Sequence, residues 1–123
     1  MSKVLVVEDS LTDKEILTLC LRSSGITVLT AKTAGEAFEQ IKQHHFDVII
    51  LDVVLPDRSG FEICRELKDD ESTKQVPVII CSTKGTEMDK FWGMKQGADA
   101  YLPKPIDQEE LMKTVQQLVN ANP

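Results

Sequence analysis

The length and charge of the chain narrow its possible functions before any motif is considered. Its 123 residues fit one domain with a core of its own, and 41% hydrophobic and 28% charged residues are typical of a globular protein in water. The formal net charge of −6 argues against binding to nucleic acid or to an anionic membrane, because both need a cationic face.

Five short apolar runs alternate with five longer amphipathic segments. The runs are rich in β-branched residues, as are strands buried on both faces of a parallel sheet. They are Val4–Val7, Thr27–Ala31, Val48–Leu51, Val78–Cys81 and Ala100–Leu102. The segments between them repeat apolar residues every three or four positions, which predicts helices. This alternation predicts an α/β fold with a parallel sheet.

Each predicted helix begins with a capping residue that is followed three positions later by an acid. The pairs are Ser10 with Asp13, Thr33 with Glu36, Ser59 with Glu62, Thr86 with Asp89, and Asp107 with Glu110. This is the spacing of the capping box or a close variant, in which side chains bind the amides left open at a helix start. Gly25 and Gly97 stand where the first and fourth helices should end.

The cysteines and apolar runs predict the compartment. Cys20, Cys64 and Cys81 are widely spaced and lie in apolar stretches without a CxxC pair, so we expect buried free thiols rather than disulfides or a zinc site. No apolar run approaches 20 residues, and Val4–Val7 is too short for the core of a signal peptide. The sequence therefore predicts a cytoplasmic protein without a membrane segment.

Polar side chains follow four of the predicted strands. Glu8 and Asp9 follow the first strand, Asp52 the third, Ser82 the fourth, and Lys104 comes just after the fifth. The carboxyl ends of parallel strands meet at one edge, where open α/β sheets bind their ligands. Three carboxylates gathered there would repel each other and raise each other's pKa unless a cation joined them. We therefore expect a divalent metal at this edge.

This set of residues suits phosphoryl transfer. Asp52 is the predicted nucleophile, since a carboxylate can attack phosphorus and form an acyl phosphate. The expected metal is Mg²⁺, which prefers oxygen ligands and would neutralise charge on the transferred group. Its predicted ligands are Glu8, Asp9, Asp52 and the backbone carbonyl of Val54. Lys104 would pair first with Asp52 and then with a phosphoryl oxygen, and Ser82 would donate to another phosphoryl oxygen.

Each of these residues has a structural alternative when it is taken alone. An acidic pair after a strand is often a charge pair at a helix start, and a single aspartate at a strand end is more often a turn residue. Ser82 alone would be a loop or cap hydroxyl, and Lys104 alone a surface lysine. The functional interpretation depends on their convergence, because perturbed charges cluster at functional sites.

Four segments carry a specific resemblance to a known family. They are VLVVEDS at Val4–Ser10, IILDVVLPDRSG at Ile49–Gly60, VPVIICST at Val76–Thr83, and GADAYLPKP at Gly97–Pro105. Their order and spacing resemble the CheY-like receiver domain of two-component response regulators, and the match covers residues 1–123 as a single receiver domain. The resemblance implies a flavodoxin-like (βα)5 three-layer sandwich with strand order 2-1-3-4-5. It also implies Mg²⁺-dependent phosphoryl transfer from a histidine kinase to Asp52.

The same resemblance implies further roles. Ser82 and Tyr101 match the switch hydroxyl and the switch aromatic, which move on phosphorylation. The face formed by the fourth helix, fifth strand and fifth helix then changes its affinity for a partner protein. The Lys104–Pro105 peptide bond is expected to be cis. The chain is thus expected to be a self-phosphorylating signalling protein, with Asp52, Lys104 and Ser82 as its catalytic set, rather than an enzyme.

Three positions depart from the family pattern beside the acceptor. Thr83 stands where a smaller residue is common, which could narrow access to Asp52. Val54 and Lys84 occupy the two positions that often tune the lifetime of the acyl phosphate. Because the side chain of Val54 cannot orient an attacking water, we expect slow self-dephosphorylation.

The segment from Ser82 to Pro105 resembles stand-alone receivers of chemotaxis-like systems that control type IV pili and twitching motility, the PilH type. Trp92 and Gly93 are its specific part. Gly93 costs a helix interior about 1 kcal/mol relative to Ala, so we expect it to serve close packing or helix mobility. For Trp92 we expect packing in or near the core, and the alternative is a contact residue for a partner protein, because tryptophan is enriched in binding hot spots. Since only the tail Asn120–Pro123 follows, no output domain is expected.

Other functions known on this fold suit the sequence less well. A phosphatase with an aspartate nucleophile would need a second Asp where Val54 stands. A nucleotide or flavin binder would need a Gly- or Ser/Thr-rich phosphate loop after the first strand, where this chain has acids. A receiver-like adaptor that works without phosphorylation is a further alternative, and the intact set of acidic residues, Ser82 and Lys104 argues against it. The other alternative is a protein that passes phosphoryl groups on to another protein or acts as a phosphate sink.

Overall fold

Five parallel strands, each followed by a helix, make up the computed structural model, which describes residues 2–121. The strands are β1 Lys3–Val7, β2 Thr27–Ala31, β3 Val48–Asp52, β4 Val78–Ser82 and β5 Ala100–Pro103. The helices are α1 Leu11–Arg22, α2 Ala34–Gln43, α3 Gly60–Asp69, α4 Glu87–Lys95 and α5 Gln108–Ala121. Each strand lies within one residue of its predicted run. The first two residues of the predicted tail belong to α5, and residues 122 and 123 lie outside the described part.

The strand order is β2-β1-β3-β4-β5, and all neighbouring strands are parallel. The order that the resemblance implied is therefore confirmed. The chain leaves β1 towards one side to form β2 and returns to the other side of β1 to form β3, which makes the β1–β3 border the switch point of the sheet. Val7 is paired with Leu51 across this border, so the residues that follow β1 lie beside the end of β3.

Helices cover both faces of the sheet and give three layers. One core contains side chains of α1 and α5, including Leu17, Leu21 and Leu111, and the other contains side chains of α2 and α3, including Ala37 and Ile63. All residues of β3 and β4 are buried. Their continuous apolar sequence is explained by this cover, because neither face of these strands meets water.

The helix starts follow the predicted capping pairs, with one difference in detail. Thr86 and Asp89 form a complete capping box, since each side chain accepts a hydrogen bond from the other residue's amide. A bond from the third helical residue to the cap oxygen also forms at Ser10, Thr33 and Asp107. The hydroxyl of Ser59, however, accepts from the amide of Phe61 and not from that of Glu62.

The glycines and cysteines agree with expectation. Gly25 and Gly97 have φ angles of 80° and 100° just beyond α1 and α4, the left-handed conformation that favours glycine. Cys20, Cys64 and Cys81 are free and buried, and burial raises the pKa of Cys64 to about 11 and that of Cys81 to about 12. Among the described helices, none has the length and apolarity needed to cross a membrane.

Candidate functional site

The three predicted acidic ligands meet at the carboxyl edge of the sheet. Glu8 and Asp9 follow β1, and Asp52 is the last residue of the adjacent β3. One carboxylate oxygen from each residue can be chosen so that all three lie within 4.8 Å of one another. Glu8 is only 1% exposed and Asp52 only 9%, whereas Asp9 is exposed. The group thus forms a pocket with a buried floor and an open side.

The electrostatics of this pocket favour a cation. Burial raises the pKa of Glu8 from 4.5 to about 7, and the nearby Asp52 adds to the rise while Lys104 opposes it. A divalent cation beside these carboxylates would remove the repulsion between them. Because the donor set consists of carboxylate oxygens alone, it fits a hard ion such as Mg²⁺.

Lys104 lies inside the acidic pocket, but its nearest partners differ from the predicted one. Its Nζ atom is 2.5 Å from Oε1 of Glu8, 2.9 Å from Oδ2 of Asp13 and 3.6 Å from Oδ2 of Asp52. Burial by itself would lower the pKa of Lys104, but its bonds to Glu8 and Asp13 outweigh that effect and raise the pKa. Lys104 is therefore a firmly charged ammonium close to the predicted nucleophile.

Ser82 and Tyr101 lie on β4 and β5 and hold the same loop residue. The fully buried Ser82 accepts a hydrogen bond on its Oγ from the amide of Lys84, at 3.1 Å. The hydroxyl of Tyr101 donates to the backbone carbonyl of Lys84. Burial raises the pKa of Tyr101. The hydroxyl and the aromatic ring that the resemblance paired are thus linked through one residue of the loop after β4.

The whole pattern is that of a known family. Residues 4–116 match the family model of the response regulator receiver domain. The chain belongs to this family. Protein PilH of Pseudomonas aeruginosa is 43% identical over 115 residues, which are 94% of this receiver and 95% of that protein.

Two further comparisons extend the match. The ArlR response regulators of Staphylococcus aureus are 35% identical over 123 residues, and the receiver spans 55% of their length. The structure of the chemotaxis response regulator CheY4 of Vibrio cholerae superposes with a TM-score of 0.88 at 34% identity, covering 96% of the receiver and 98% of that chain. The similarity to PilH and CheY4 thus extends over almost the whole length of both proteins in each pair, whereas the chain spans about half the length of the ArlR proteins.

The sequence predicts Asp13 as the capping acid of α1 and not as a residue of the receiver pocket. The capping pattern explains its backbone, because its amide donates to Oγ of Ser10 at 3.3 Å. The Asp13 carboxylate binds Lys104 instead of completing the capping box. The sequence feature that could have indicated its role is its position in the first turn of α1, shortly after Glu8 and Asp9. A carboxylate there can reach the pocket while its amide caps the helix.

The remaining predicted residues follow the ends of β3, β4 and β5. The Lys104–Pro105 peptide bond is cis, as the family resemblance implied. Val54 lies two residues after Asp52, pairs with Ser59 in an isolated bridge, and has a 57% exposed side chain. Its backbone carbonyl stays a predicted metal ligand. Thr83 and Lys84 are both exposed.

Helix α4 shows one prediction confirmed and one wrong. Gly93 is the buried residue of this helix, and it packs closely against Tyr101, which explains a glycine at this position. The expectation that Trp92 packs in the core is wrong, because it is 53% exposed. Met88 and Phe91 are also exposed. The outer face of α4 is therefore unusually apolar for a surface helix.

Proposed function

We propose that this receiver is a phospho-accepting signalling switch. In this proposal Asp52 accepts a phosphoryl group from a histidine kinase, and Mg²⁺ is held by Glu8, Asp9, Asp52 and the Val54 carbonyl. The observation that carries the proposal is the meeting of three carboxylates within 4.8 Å beside an ammonium that lies 3.6 Å from Asp52. A site of this composition suits transfer of a phosphoryl group to a carboxylate.

Each residue then has a defined task. An oxygen of Asp52 forms the new bond to phosphorus while the bond between phosphorus and the donor's leaving atom breaks. When bound, Mg²⁺ would offset the negative charge on the transferred group. Lys104 donates to a phosphoryl oxygen, and Ser82 moves towards the phosphoryl group to donate to another, which breaks the hydrogen bond that Ser82 accepts from the Lys84 amide. This loss of a contact is the start of the proposed switch, since it releases the loop that also holds Tyr101.

The output of the switch is proposed to be protein binding rather than catalysis on a substrate. The docking face consists of α4, β5 and α5, and the exposed Met88, Phe91 and Trp92 give it apolar anchors. The 43% identity to PilH supports a place in a chemotaxis-like system of twitching motility. Free cysteines support a cytoplasmic location, and the net charge of −6 supports a target other than nucleic acid.

The chemistry is tested by incubation with acetyl phosphate and Mg²⁺, followed by intact mass measurement. We expect the wild-type chain to gain one phosphoryl group and Asp52→Asn to gain none. Asp69→Asn, a matched change at an exposed aspartate at the end of α3, should be labelled like the wild type. A wild-type chain that stays unmodified, or an Asp52→Asn variant that is labelled equally, would contradict the proposal.

A phosphate relay or sink is the second candidate, because the accepting chemistry is the same. The two candidates differ in the fate of the phosphoryl group and in its effect on binding. A switch keeps the phosphoryl group and changes its affinity for a partner, whereas a sink loses the group to water or to another protein without such a change. Comparing partner binding before and after phosphorylation separates them.

A further inference from the structure

The proposed chemistry leaves one acidic side chain of the pocket without a role. The carboxylate of Asp13 lies 2.9 Å from Nζ of Lys104, but it is outside the described group of acids that come close enough to share a metal. Its contact with Lys104 joins residues 91 positions apart in the chain. Capping of α1 does not need this contact, because the cap bond to Ser10 uses only the amide of Asp13.

The geometry shows how the ammonium of Lys104 is divided among its neighbours. An ammonium has three protons to donate. Glu8 at 2.5 Å and Asp13 at 2.9 Å accept hydrogen bonds, whereas Asp52 at 3.6 Å is beyond hydrogen-bonding distance. The Lys104 side chain is 7% exposed, so these carboxylates provide most of its stabilisation in place of water.

Glu8 and Asp13 differ in what else they must do. Glu8 is a predicted ligand of Mg²⁺, so a bound metal would draw its charge away from Lys104. Asp13 lies outside that group and is 30% exposed on its side chain. Asp13 is therefore the carboxylate that would stay paired with Lys104 when a metal ion is bound.

We propose that Asp13 is a positioning residue that holds the ammonium of Lys104 away from Asp52 and competes with the phosphoryl group for it. This inference rests on the proposed function. Removing the Asp13 carboxylate frees Lys104 to approach Asp52 and removes one anion that would repel the phosphoryl donor, so phosphorylation speeds up. The same removal takes away an anion that attracts Mg²⁺, so metal binding weakens.

The test compares Asp13→Asn with Glu15→Gln, which removes one negative charge from an exposed position on the same helix. The two measurements are the initial rate of phosphorylation by acetyl phosphate at saturating Mg²⁺ and the Mg²⁺ dissociation constant from titration calorimetry. For Asp13→Asn we expect a rate about fivefold higher and a dissociation constant about two- to fivefold higher. Glu15→Gln should change neither by more than about 1.5-fold.

The opposite directions of the two effects separate positioning from damage to the fold. A variant that is merely distorted loses rate and metal affinity together, and this result, or an unchanged rate, would overturn the inference. Asp13→Ser, which also keeps the backbone cap, serves as a second variant and should behave alike. If the wild type and Glu15→Gln both stay unphosphorylated, the proposed function itself fails, which is a different outcome.

A double variant asks whether Asp13 acts through Lys104. In a Lys104→Gln background the ammonium is absent. Adding Asp13→Asn to that variant should therefore raise the phosphorylation rate much less than it does in the wild type. A full gain in that background would show that Asp13 acts by through-space charge alone and would refute the positioning role.

Discussion

The ring of Tyr101 packs directly onto the backbone of Gly93. A Cβ atom added to Gly93 would lie 2.7 Å from Cδ2 and 2.9 Å from Cε2 of Tyr101, closer than carbon atoms approach each other. Because Gly93 has no side chain, the Tyr101 ring can pack against α4. In this position the Tyr101 hydroxyl donates to the Lys84 carbonyl. The helix gives up about 1 kcal/mol of intrinsic propensity for this contact.

We predict that Gly93→Ala displaces the Tyr101 ring into solvent and breaks the bond to Lys84. Tyr101 is the only tyrosine in the sequence, so an absorbance titration of the phenol reports on it alone. Burial raises its pKa above 10 in the wild type, and in Gly93→Ala the pKa should return towards 10. The free energy of unfolding should change by less than about 1 kcal/mol, because the propensity gain of alanine offsets the lost packing.

Gly85→Ala is the control for this prediction. A Cβ atom at Gly85 would meet only Cβ of Pro103 at 3.6 Å, an ordinary contact, so the pKa of Tyr101 should stay at its wild-type value. An unchanged pKa in Gly93→Ala would show that α4 moves instead of the ring.

Asp9→Asn should separate acidic repulsion from metal binding. Without Mg²⁺ the variant should be slightly more stable than the wild type, because one of three close carboxylates is lost. With Mg²⁺ the wild type should gain stability according to its affinity, about 2.7 kcal/mol at a hundred times the dissociation constant, while the variant gains much less. Thermal unfolding with and without Mg²⁺ measures both effects. Equal gains in the two proteins would remove Asp9 from the ligand set.

Val54→Asn should shorten the lifetime of the acyl phosphate. The Val54 side chain is 57% exposed two residues after Asp52, where an amide can orient a water molecule for attack and an isopropyl group cannot. We expect a several-fold faster loss of phosphate in Mg²⁺, followed by mass measurement over time. Val54→Ala, which is equally unable to orient water, should lose phosphate at nearly the wild-type rate. If the acyl phosphate of the wild type lasts only seconds in Mg²⁺, the expectation of slow dephosphorylation is wrong.

The Asp57 carboxylate should make the free energy of unfolding depend on pH in the acid range. Its carboxylate accepts hydrogen bonds from the amides of Ala34 at 2.9 Å and Gly35 at 3.1 Å, which ties the β3–α3 loop to the start of α2. These bonds, that to Ala34 first, lower the pKa of Asp57 below 3.8. The carboxylate therefore stabilises the fold above pH 3.8, and this contribution is lost as pH falls through the folded-state pKa.

The measurement is urea unfolding of wild type and Asp57→Asn between about pH 3 and pH 7. The variant should unfold at lower urea at neutral pH, and the difference should narrow at the acid end. Glu15→Gln, at an exposed position on α1, is the control and should differ little from the wild type across the range. A constant difference between Asp57→Asn and wild type would mean that the charge of Asp57 is irrelevant.

Trp92→Ala should have little effect on stability although tryptophan is the largest side chain. Since Trp92 is 53% exposed, we expect a loss of less than about 1 kcal/mol in the free energy of unfolding. Leu111→Ala, at a fully buried position of α5, should cost about 2–5 kcal/mol. A large loss in Trp92→Ala would assign this residue to the core after all and weaken its proposed role in docking.

Much of the architecture was predictable because its causes are local. Continuous apolar runs marked all five strands to within one residue, and cap residues marked the helix starts. Parallel pairing then placed Glu8, Asp9 and Asp52 at one edge of the sheet, and the strand order that the family resemblance implied made β1 and β3 neighbours. The position of the acidic pocket thus followed from the sequence and from the rule that parallel strands align their carboxyl ends.

The choice of partners inside the pocket was decided only by the tertiary structure. The sequence places Lys104 near Asp52, but packing of α1 against the sheet brings Asp13 closer to the ammonium, 2.9 Å against 3.6 Å. The pattern of apolar and polar residues in the sequence cannot predict this difference in distance. The distances depend on how side chains from elements far apart in the chain pack in a buried space.

The same limit explains α4. Its sequence shows apolar residues and a glycine, but a helix so rich in apolar side chains can bury either face. The contact between Gly93 and Tyr101 settled which face turns inward, and so left Trp92 outside. The sequence alone determined which chemistry gathers at the sheet edge and in what order the chain reaches it. Tertiary packing decided which charges touch and which apolar surface meets water, because both depend on contacts between residues far apart in the chain.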